Sequence, residues 1–355
     1  MVEDFSRQWV IAVDTESNSL YAYREQTCLI QFSTGKTDYL VDPLVLSDLS
    51  ALGPIFANPD IEKVFHAAEY DLICLKRDFG FTFNNLFDTM VASRALGRAS
   101  VGLAAMLLEE FGVELDKHYQ RANWGARPLT APMLAYARLD SYYLIQLRHR
   151  LKTALEEKGR LALAEEDFRR LCDAPPQTSE PDACNWWRVA AGQELSARQA
   201  AILAELCLYR DGRARAADLP AFKVLSNQLL VQVAQTCPAT PAELVQATGL
   251  NGRQFERHAD GLLQAVKRGQ QAPPLRRPVQ PRPDERYLNR LEHLKSWRRR
   301  TGMSWGVESD VVLPREVMEA IAQTPPDQPG DLDSLMASVP WRLEHFGPEI
   351  IRLFR

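Results

Sequence analysis

The chain has 355 residues, of which 46% are apolar and 25% are charged. This composition is typical of a globular protein with two or three domains and excludes a disordered or membrane-spanning chain, and the net charge of −4 argues against a protein that simply coats nucleic acid. Because the six cysteines form no CxxC pair and the first residues lack the basic and apolar regions of a signal peptide, we expect a reduced, cytoplasmic protein without a zinc site or a disulfide framework.

The order of strand-like and helical patterns predicts a mixed α/β domain over residues 1–172. Apolar and β-branched runs predict strands at 9–14, 27–33, 38–41 and 63–66. Apolar residues at helical spacing predict helices at 46–57, 72–79, 88–96, 103–111 and from 131 to about 158. Early strands followed by helices favour a central mixed sheet flanked by helices.

Two proline-rich segments divide the rest of the chain. Residues 173–185 and 270–284 have the composition of linkers, and they leave two helical segments, 186–269 and 285–355. Nine basic and only three acidic residues lie between 271 and 300, a net charge of +6. Such a basic stretch suits a phosphate-backbone substrate, although a solvated linker explains it equally well.

The two helical segments are repeats of each other. After a shift of 88 positions, Leu203 and Arg210 align with Leu291 and Arg298. Further aligned pairs are Tyr209 and Trp297, Leu225 and Leu313, Val233 and Ile321, Phe255 and Leu343, and Leu262 and Ile350. The matched positions are mostly apolar and have helical spacing, so each repeat is predicted to be a small all-α domain.

Four acids of the first domain are candidates for one metal site, namely Asp14, Glu16, Asp71 and Asp140. Asp14 and Glu16 follow an apolar run, and residues two apart on a strand point to the same face. Two like charges on one face are costly unless a cation neutralises them, and hard oxygen ligands favour Mg²⁺ or Mn²⁺. Alternatively, the two acids only begin a polar loop after the strand.

Asp71 and Asp140 lie on predicted helices. Asp71 is near a helix start, where an aspartate is common because of the helix dipole alone. Tyr136 and Asp140 are four residues apart, so a helix places the phenol and the carboxylate on one face, where they can orient a water and bind a metal. A helix without such a site would more often bury the tyrosine and solvate the aspartate. Each residue alone is therefore a weak signal, and only their combination indicates a metal site.

Four sequence motifs resemble those of the DEDD exonucleases. They are VDTES around Asp14, HAAEYDLICL around Asp71, FDTMVASRAL around Asp88 and YARLD ending at Asp140. The tyrosine of YARLD is typical of the tyrosine-bearing subgroup, and LDKHYQRANWGARPLT at 115–130 is similar to the ribonuclease D family. The first repeat, with LPAFKVL at 219–225, resembles the helicase-and-RNase-D C-terminal (HRDC) domain. The second repeat is a weaker match because it lacks the proline and phenylalanine of that motif.

This resemblance implies a ribonuclease H-like first domain followed by two small HRDC-like domains, and a metal-dependent 3′→5′ exoribonuclease activity that releases nucleoside monophosphates. Asp14, Glu16, Asp71 and Asp140 would bind two divalent ions, Mg²⁺ or Mn²⁺, and Tyr136 would position the attacking water. The partner would be RNA with a free 3′ end, such as a tRNA precursor, with no membrane and no obligate protein partner. A DNA 3′→5′ exonuclease and a non-catalytic RNA-binding module remain alternatives.

Five further residues have two interpretations each. Asp88 belongs to the FDT motif, but we expect it to cap the helix that follows rather than to bind a metal. His66 is expected to support the site or the core, since hard-metal sites seldom use imidazole. Arg121, Trp124 and Arg127 either contact the substrate through base stacking and phosphate pairing or fix a loop onto the first domain.

Overall fold

The computed structural model describes residues 1–176, 185–277, 283–325 and 330–354. As far as they are described, residues 1–17, 27–177 and 282–355 form one compact unit, and residues 18–26 and 178–281 form a second. The predicted linkers, 173–185 and 270–284, lie partly outside the described residues. No helix of the described part of the chain is long and apolar enough to cross a membrane.

A five-stranded sheet forms the centre of the first unit. Its strands are β1 (Val10–Ser17), β2 (Thr27–Ser33), β3 (Asp38–Val41), β4 (Glu62–Phe65) and β5 (Leu86–Asp88). They lie in the order β3-β2-β1-β4-β5, with antiparallel pairing from β3 to β1 and parallel pairing from β1 to β5. This topology confirms the predicted mixed sheet.

Strand β1 is longer than its apolar run. Val10–Val13 are buried, and the strand then continues through half-buried positions to Ser17, because these residues still pair with β2. The predicted end at residue 14 is therefore wrong, and Glu16 lies inside a paired strand. The register shifts between Glu16 and Ser17, and a bulge of this kind locally re-aims side chains.

Eight α-helices accompany the sheet in the described part of residues 1–176. They are α1 (Val2–Phe5), α2 (Gly53–Ala57), α3 (Glu69–Phe79), α4 (Thr89–Leu96), α5 (Leu103–Phe111), α6 (Ala131–Tyr142), α7 (Leu144–Glu157) and α8 (Leu161–Asp173). Three predictions differ from this result. The helix at 46–57 is α-helical only in α2, and the long helix from 131 is divided into α6 and α7 at Tyr143. Strand β5 is absent from the prediction, and its last residue, Asp88, lies in the helix predicted at 88–96.

The two repeats are all-α, as predicted. The first contains α9 (Trp186–Val189), α10 (Ala197–Ala217), α11 (Ala221–Val224), α12 (Asn227–Thr236), α13 (Pro241–Thr248) and α14 (Gly252–Gln271). The second contains α15 (Glu285–Trp305), α16 (Ser309–Val312), α17 (Arg315–Gln323), α18 (Asp331–Leu335) and α19 (Pro340–Arg352).

Each folded region has its own hydrophobic core. Ile11, Phe32 and Phe56 are fully buried around the sheet. Leu203 and Leu262 lie in the core of the first repeat, and their counterparts in the second repeat, Leu291 and Ile350, lie in its core too. The repeated apolar pattern therefore encodes a repeated core.

Candidate active site

Strand β1 places Asp14 and Glu16 on one face of the sheet. The two residues alternate with Thr15 along the strand, so their side chains point the same way. Asp14 pairs with Gln31 of β2, and Glu16 pairs with Leu29. The paired backbone holds both carboxylates in fixed positions, which a loop would not do.

Helix α6 brings the third carboxylate to this face. The helix begins at a Thr130 cap, whose hydroxyl accepts a hydrogen bond from the Met133 N–H, and it packs against β1, β2 and β3. Asp140 near its end is 7% exposed. One carboxylate oxygen each of Asp14, Glu16 and Asp140 lies within 4.8 Å of the others. Three of the four acids expected at a metal site are thus close enough to share an ion.

Asp71 lies beside this group but outside the set of three. It sits in the first turn of α3, is buried, and accepts a hydrogen bond from the Thr15 hydroxyl. The charge of Asp14 contributes to an increase in the pKa of Asp71, which indicates that the two carboxylates are near each other. Thr15, which the sequence did not single out, therefore links the strand of Asp14 to the helix of Asp71. Its position between the two acids of VDTES is the feature of the sequence from which this role could have been predicted.

Burial and mutual repulsion make the charged forms of these acids costly. Burial is the main cause in each case, and it raises the pKa of Glu16 to about 10 and that of Asp140 to about 7. The pKa values of Asp14 and Asp71 are also raised, first by burial and then by a neighbouring aspartate. The charged groups that raise these pKa values are all carboxylates. Two half-buried acids, Asp14 and Glu16, and two buried ones, Asp71 and Asp140, form this group. Closely spaced acids with all-oxygen donors fit hard divalent cations such as Mg²⁺ or Mn²⁺.

Tyr136 lies one helical turn before Asp140 and lines the same cavity. This cavity has a volume of about 430 Å³, and Asp14, Glu16, His66 and Asp140 also line it. Burial, followed by the charge of Asp140, raises the pKa of the Tyr136 phenol, so the hydroxyl stays protonated at neutral pH. It can then donate a hydrogen bond to an acceptor in the cavity. The predicted shared face of Tyr136 and Asp140 is present.

His66 lines the cavity as a neutral imidazole. Its Nδ1 lies 2.9 Å from the Thr89 hydroxyl oxygen, and that hydroxyl donates to the Phe65 carbonyl at 3.1 Å. The Thr89 oxygen can therefore accept from Nδ1–H, which fixes the tautomer. Burial lowers the pKa of His66 to about 4. These contacts agree with the predicted supporting role.

Asp88 caps α4 and also accepts hydrogen bonds from the residues just before α3. Its Oδ1 accepts from the N–H groups of Met90 at 2.8 Å and Val91 at 3.1 Å, at the start of α4. The same carboxylate accepts from Ala67 at 3.1 Å and Ala68 at 2.7 Å, just before α3. The capping interpretation is therefore confirmed, and Asp88 also fixes the start of the helix that carries Asp71.

Two of the three candidate substrate contacts are used within the fold. Trp124 is 1% exposed and packs against Tyr136 at a centroid distance of 6.1 Å, so it cannot stack on a base in this conformation. Arg127 donates to Asp42 at 2.6 Å and to the Cys28 carbonyl at 2.8 Å. Both residues fix the loop, which favours the second interpretation for them. Arg121 is exposed at the end of a short 3₁₀ helix, Lys117–Arg121.

The cavity is also lined by residues that the sequence did not single out as site residues. They are Gly102–Ala105 at the start of α5, together with Leu115 and Gln120 of the 115–130 motif. These residues are small, apolar or neutral, so their types alone carried no chemical signal. The lining of the cavity therefore combines acidic and neutral residues.

Comparison with known proteins gives matches over both parts of the chain. Residues 1–156 match the family described as 3′-5′ exonuclease, and residues 199–266 and 288–353 match the HRDC domain. Ribonuclease D of Pseudomonas paraeruginosa is 28% identical over 355 residues, which cover 97% of this chain and 93% of that protein.

Two solved structures extend this result. Escherichia coli RNase D, described as an exoribonuclease involved in structured RNA processing, has a TM-score of 0.71 and 29% identity, with 99% of this chain and 94% of that chain covered. The catalytic core of RRP6 from Trypanosoma brucei has a TM-score of 0.67 and 31% identity, with 76% of each chain covered. Several RRP6 proteins of plants and yeast are 33–36% identical but much longer, and the chain spans 30–43% of their length.

Proposed function

Because the chain belongs to the ribonuclease D family, in which a 3′-5′ exonuclease domain precedes HRDC domains, we propose that it is a metal-dependent 3′→5′ exoribonuclease. The observation that carries this proposal is the group formed by Asp14, Glu16 and Asp140, whose oxygens lie within 4.8 Å of one another. The group lines a cavity that also contains Tyr136.

Asp14, Glu16, Asp71 and Asp140 would hold two divalent ions, Mg²⁺ or Mn²⁺. When bound, such ions activate the attacking water and neutralise charge on the departing 3′ oxygen. Asp14, Glu16 and Asp140 provide the converging oxygens, and Thr15 holds Asp71 next to them through its hydroxyl. Each of these carboxylates must lose its proton to act as a ligand, so the raised pKa values link metal binding to pH.

Tyr136 would orient the water that attacks the phosphate. Its phenol is a neutral donor at physiological pH, as tyrosine ordinarily is, and burial raises its pKa further. It lies on the same helix face as Asp140. A water between the phenol and the carboxylates would be held in one orientation, and positioning of a nucleophile is a large part of the catalytic effect in such sites. Trp124 packs behind the Tyr136 ring and restricts its movement.

The substrate would be the 3′ end of a structured RNA, such as a tRNA precursor, and the products would be nucleoside monophosphates. The cavity of about 430 Å³ lies within the usual size range of small-molecule sites, which suits one terminal nucleotide. The related Escherichia coli RNase D is involved in structured RNA processing, and the HRDC matches in this chain support a polynucleotide substrate. A cytoplasmic location, without an obligate protein partner, completes the proposal.

Substitution of Asp14 tests the proposal. Asp14→Asn removes a ligand from the centre of the carboxylate group, so we expect the Mg²⁺-dependent release of mononucleotides to fall by about a thousandfold, equivalent to about 4 kcal/mol. The measurement uses 5′-labelled RNA and matched DNA, each with a free or a blocked 3′ hydroxyl, with and without EDTA. Asp60→Asn, in an exposed turn, is the control and should keep full activity.

The same assay can also contradict the proposal. Near-normal activity of Asp14→Asn would show that the metal assignment is wrong. Equal degradation of DNA and RNA would contradict the ribonuclease assignment. Activity on a blocked 3′ end would contradict the 3′→5′ exonuclease assignment, and activity in EDTA would contradict the metal requirement.

A further inference from the structure

Gln31 is a buried amide for which the described residues offer no hydrogen bond. The residue lies in the middle of β2 and is 0% exposed. Neither its Nε2 nor its Oε1 has a partner within the described part of the chain. An unsatisfied buried polar group costs about 1–3 kcal/mol, so an amide at this position requires a reason.

The strand register places this amide next to the metal site. Gln31 pairs directly with Asp14 of β1 on one side and with Leu40 of β3 on the other. Directly opposite residues of antiparallel strands share a face, with their Cβ atoms about 4.5–5.5 Å apart. Since Leu40 has no polar side-chain atom, Asp14 is the polar neighbour across the strands.

Helix α6 covers the same face and separates it from solvent. Leu29 is two residues before Gln31, so it lies on the same face of β2, and it packs against Tyr136 and Ala137 of α6. Gln31 is therefore enclosed between the strand that carries Asp14 and the helix that carries Asp140. The strand register makes Asp14 a polar neighbour of the amide within this enclosed layer.

The hydrogen-bonding chemistry of the two groups is complementary. An ionised carboxylate only accepts hydrogen bonds, and the Nε2 of glutamine is a double donor. The charged neighbours of Asp14 are carboxylates, which accept hydrogen bonds, and Gln31 is a neutral donor paired with it across the strands. Residues that donate to a metal-binding side chain fix its orientation and strengthen the site.

We propose that Gln31 is a positioning residue of the metal site, whose Nε2 would donate to the Asp14 carboxylate in the metal-bound protein and orient it toward the ion. The inference rests on the proposed function, since it requires Asp14 to be a metal ligand. Gln31 itself would touch neither the ion nor the RNA. Its effect would therefore appear in metal affinity and in turnover, and not in the KM for RNA.

The test compares metal binding and stability in Gln31→Met, which keeps the length of the side chain and removes the amide. In the full chain, the affinity for Mn²⁺ measured by titration calorimetry should fall by about 10-fold to 100-fold, in the range typical of such supporting residues. The melting temperature of the metal-free variant should be unchanged or higher, because an unsatisfied buried amide has been removed. A merely structural glutamine would give the reverse: a lower melting temperature and unchanged Mn²⁺ affinity.

A matched control comes from the same layer of the fold. Leu29→Met changes the packing beneath α6 on the same face of β2 without affecting an amide, and its Mn²⁺ affinity should equal that of the wild type. Gln31→Leu is measured in parallel with Gln31→Met. If neither variant folds, the metal-free protein needs the hydrogen bonds of the Gln31 amide in order to fold. This outcome would overturn the proposal.

Asp14→Asn distinguishes this proposal from the proposed function. If the wild type binds Mn²⁺, Asp14→Asn does not, and Gln31→Met binds like the wild type, only the role of Gln31 is overturned. If the wild type binds no Mn²⁺, or Asp14→Asn binds it normally, the proposed metal site fails and the role of Gln31 fails with it.

Discussion

The two helical repeats have separate cores built on the same pattern, but they contact different parts of the protein. Arg210 of the first repeat donates to the Leu225 carbonyl at 3.1 Å, and its counterpart Arg298 donates to the Leu313 carbonyl at 2.9 Å. The donor and the acceptor are each displaced by 88 positions. The two repeats therefore preserve both an apolar pattern and a specific polar contact inside each domain.

The first repeat shares its compact unit with a segment from the nuclease part of the sequence. Residues 18–26, which follow β1, belong to that unit. Within the unit, the Tyr23 hydroxyl donates to Asp211 at 2.6 Å, and its backbone N–H donates to Asp218 at 3.1 Å. The connection that follows Glu16 in the chain is thus held by side chains of the first repeat.

The second repeat shares its unit with the sheet. Arg342 of α19 is 0% exposed and forms ion pairs with Glu166 at 2.8 Å and Asp167 at 2.7 Å, both on α8. It also donates to the Val311 carbonyl of its own repeat at 2.9 Å. Gln254, its counterpart in the first repeat by the 88-residue shift, is exposed. Positions that do not repeat therefore decide which part of the protein each repeat contacts.

The largest expected effect is a loss of stability when the Arg342 ion pairs, which its counterpart Gln254 cannot form, are removed. Arg342→Ala leaves Glu166 buried without its cation, so we expect the free energy of unfolding to fall by about 3–5 kcal/mol. Urea denaturation measures it. Gln254→Ala is the matched control and should change stability by less than about 0.5 kcal/mol. Equal effects of the two substitutions would remove the distinction between the repeats.

A smaller loss of stability is expected from substitution of the arginine found at the same position in both repeats, Arg210 and Arg298. Arg210→Met and Arg298→Met each leave a backbone carbonyl without its donor, at a cost of about 1–3 kcal/mol. Arg210 also donates to Asn227 at 2.7 Å, so we expect the larger loss in the first repeat. Separate urea denaturation curves test this order. A loss in only one variant would show that the common contact does not stabilise both domains.

The last effect concerns pH, and it is expected in one unit only. Above about pH 6.5 the folded metal-free protein keeps protons on Glu16, with a pKa of about 10, and partly on Asp140, with a pKa of about 7. The unfolded chain has lost these protons, so stability should fall as pH rises, by up to about 1.4 kcal/mol per pH unit for each proton. His66 acts in the opposite direction between its pKa of about 4 and the ordinary value of 6.5. Lys63, whose pKa is lowered to about 8 by burial, also opposes the fall as pH approaches 8.

Thermal unfolding in EDTA between about pH 6.5 and 8 measures this dependence. The transition of the unit with the sheet should move to lower temperature as pH rises. In the second unit, burial lowers the pKa of His258. The stabilising effect of the neutral imidazole is lost only as pH falls below the ordinary value of 6.5. The transition of the second unit should therefore stay constant in this window. Excess Mn²⁺ should reverse the trend in the first unit, because ligation requires ionised carboxylates. A flat transition in EDTA would contradict the assigned pKa increases.

The fold class and the domain order were predictable from local patterns, although β5 and several element ends were not. Periodicity predicted the mixed sheet and the all-α repeats, because a strand or a helix with one buried face shows its period locally. The DEDD motifs and the YARLD spacing led to the family, and the FDT motif led to the cap at Asp88. The four acids and Tyr136 remain predicted ligands and a predicted water-positioning residue, and three of the acids converge as expected.

Contacts between residues far apart in the chain became known from the folded structure. It placed Trp124 in the core, connected Thr15 to Asp71, and put Gln31 opposite Asp14. It also assigned the repeats to different compact units. These outcomes depend on strand register and on pairs of residues far apart in the chain, such as Arg342 and Glu166, and local patterns carry no information about which distant partner a side chain will have.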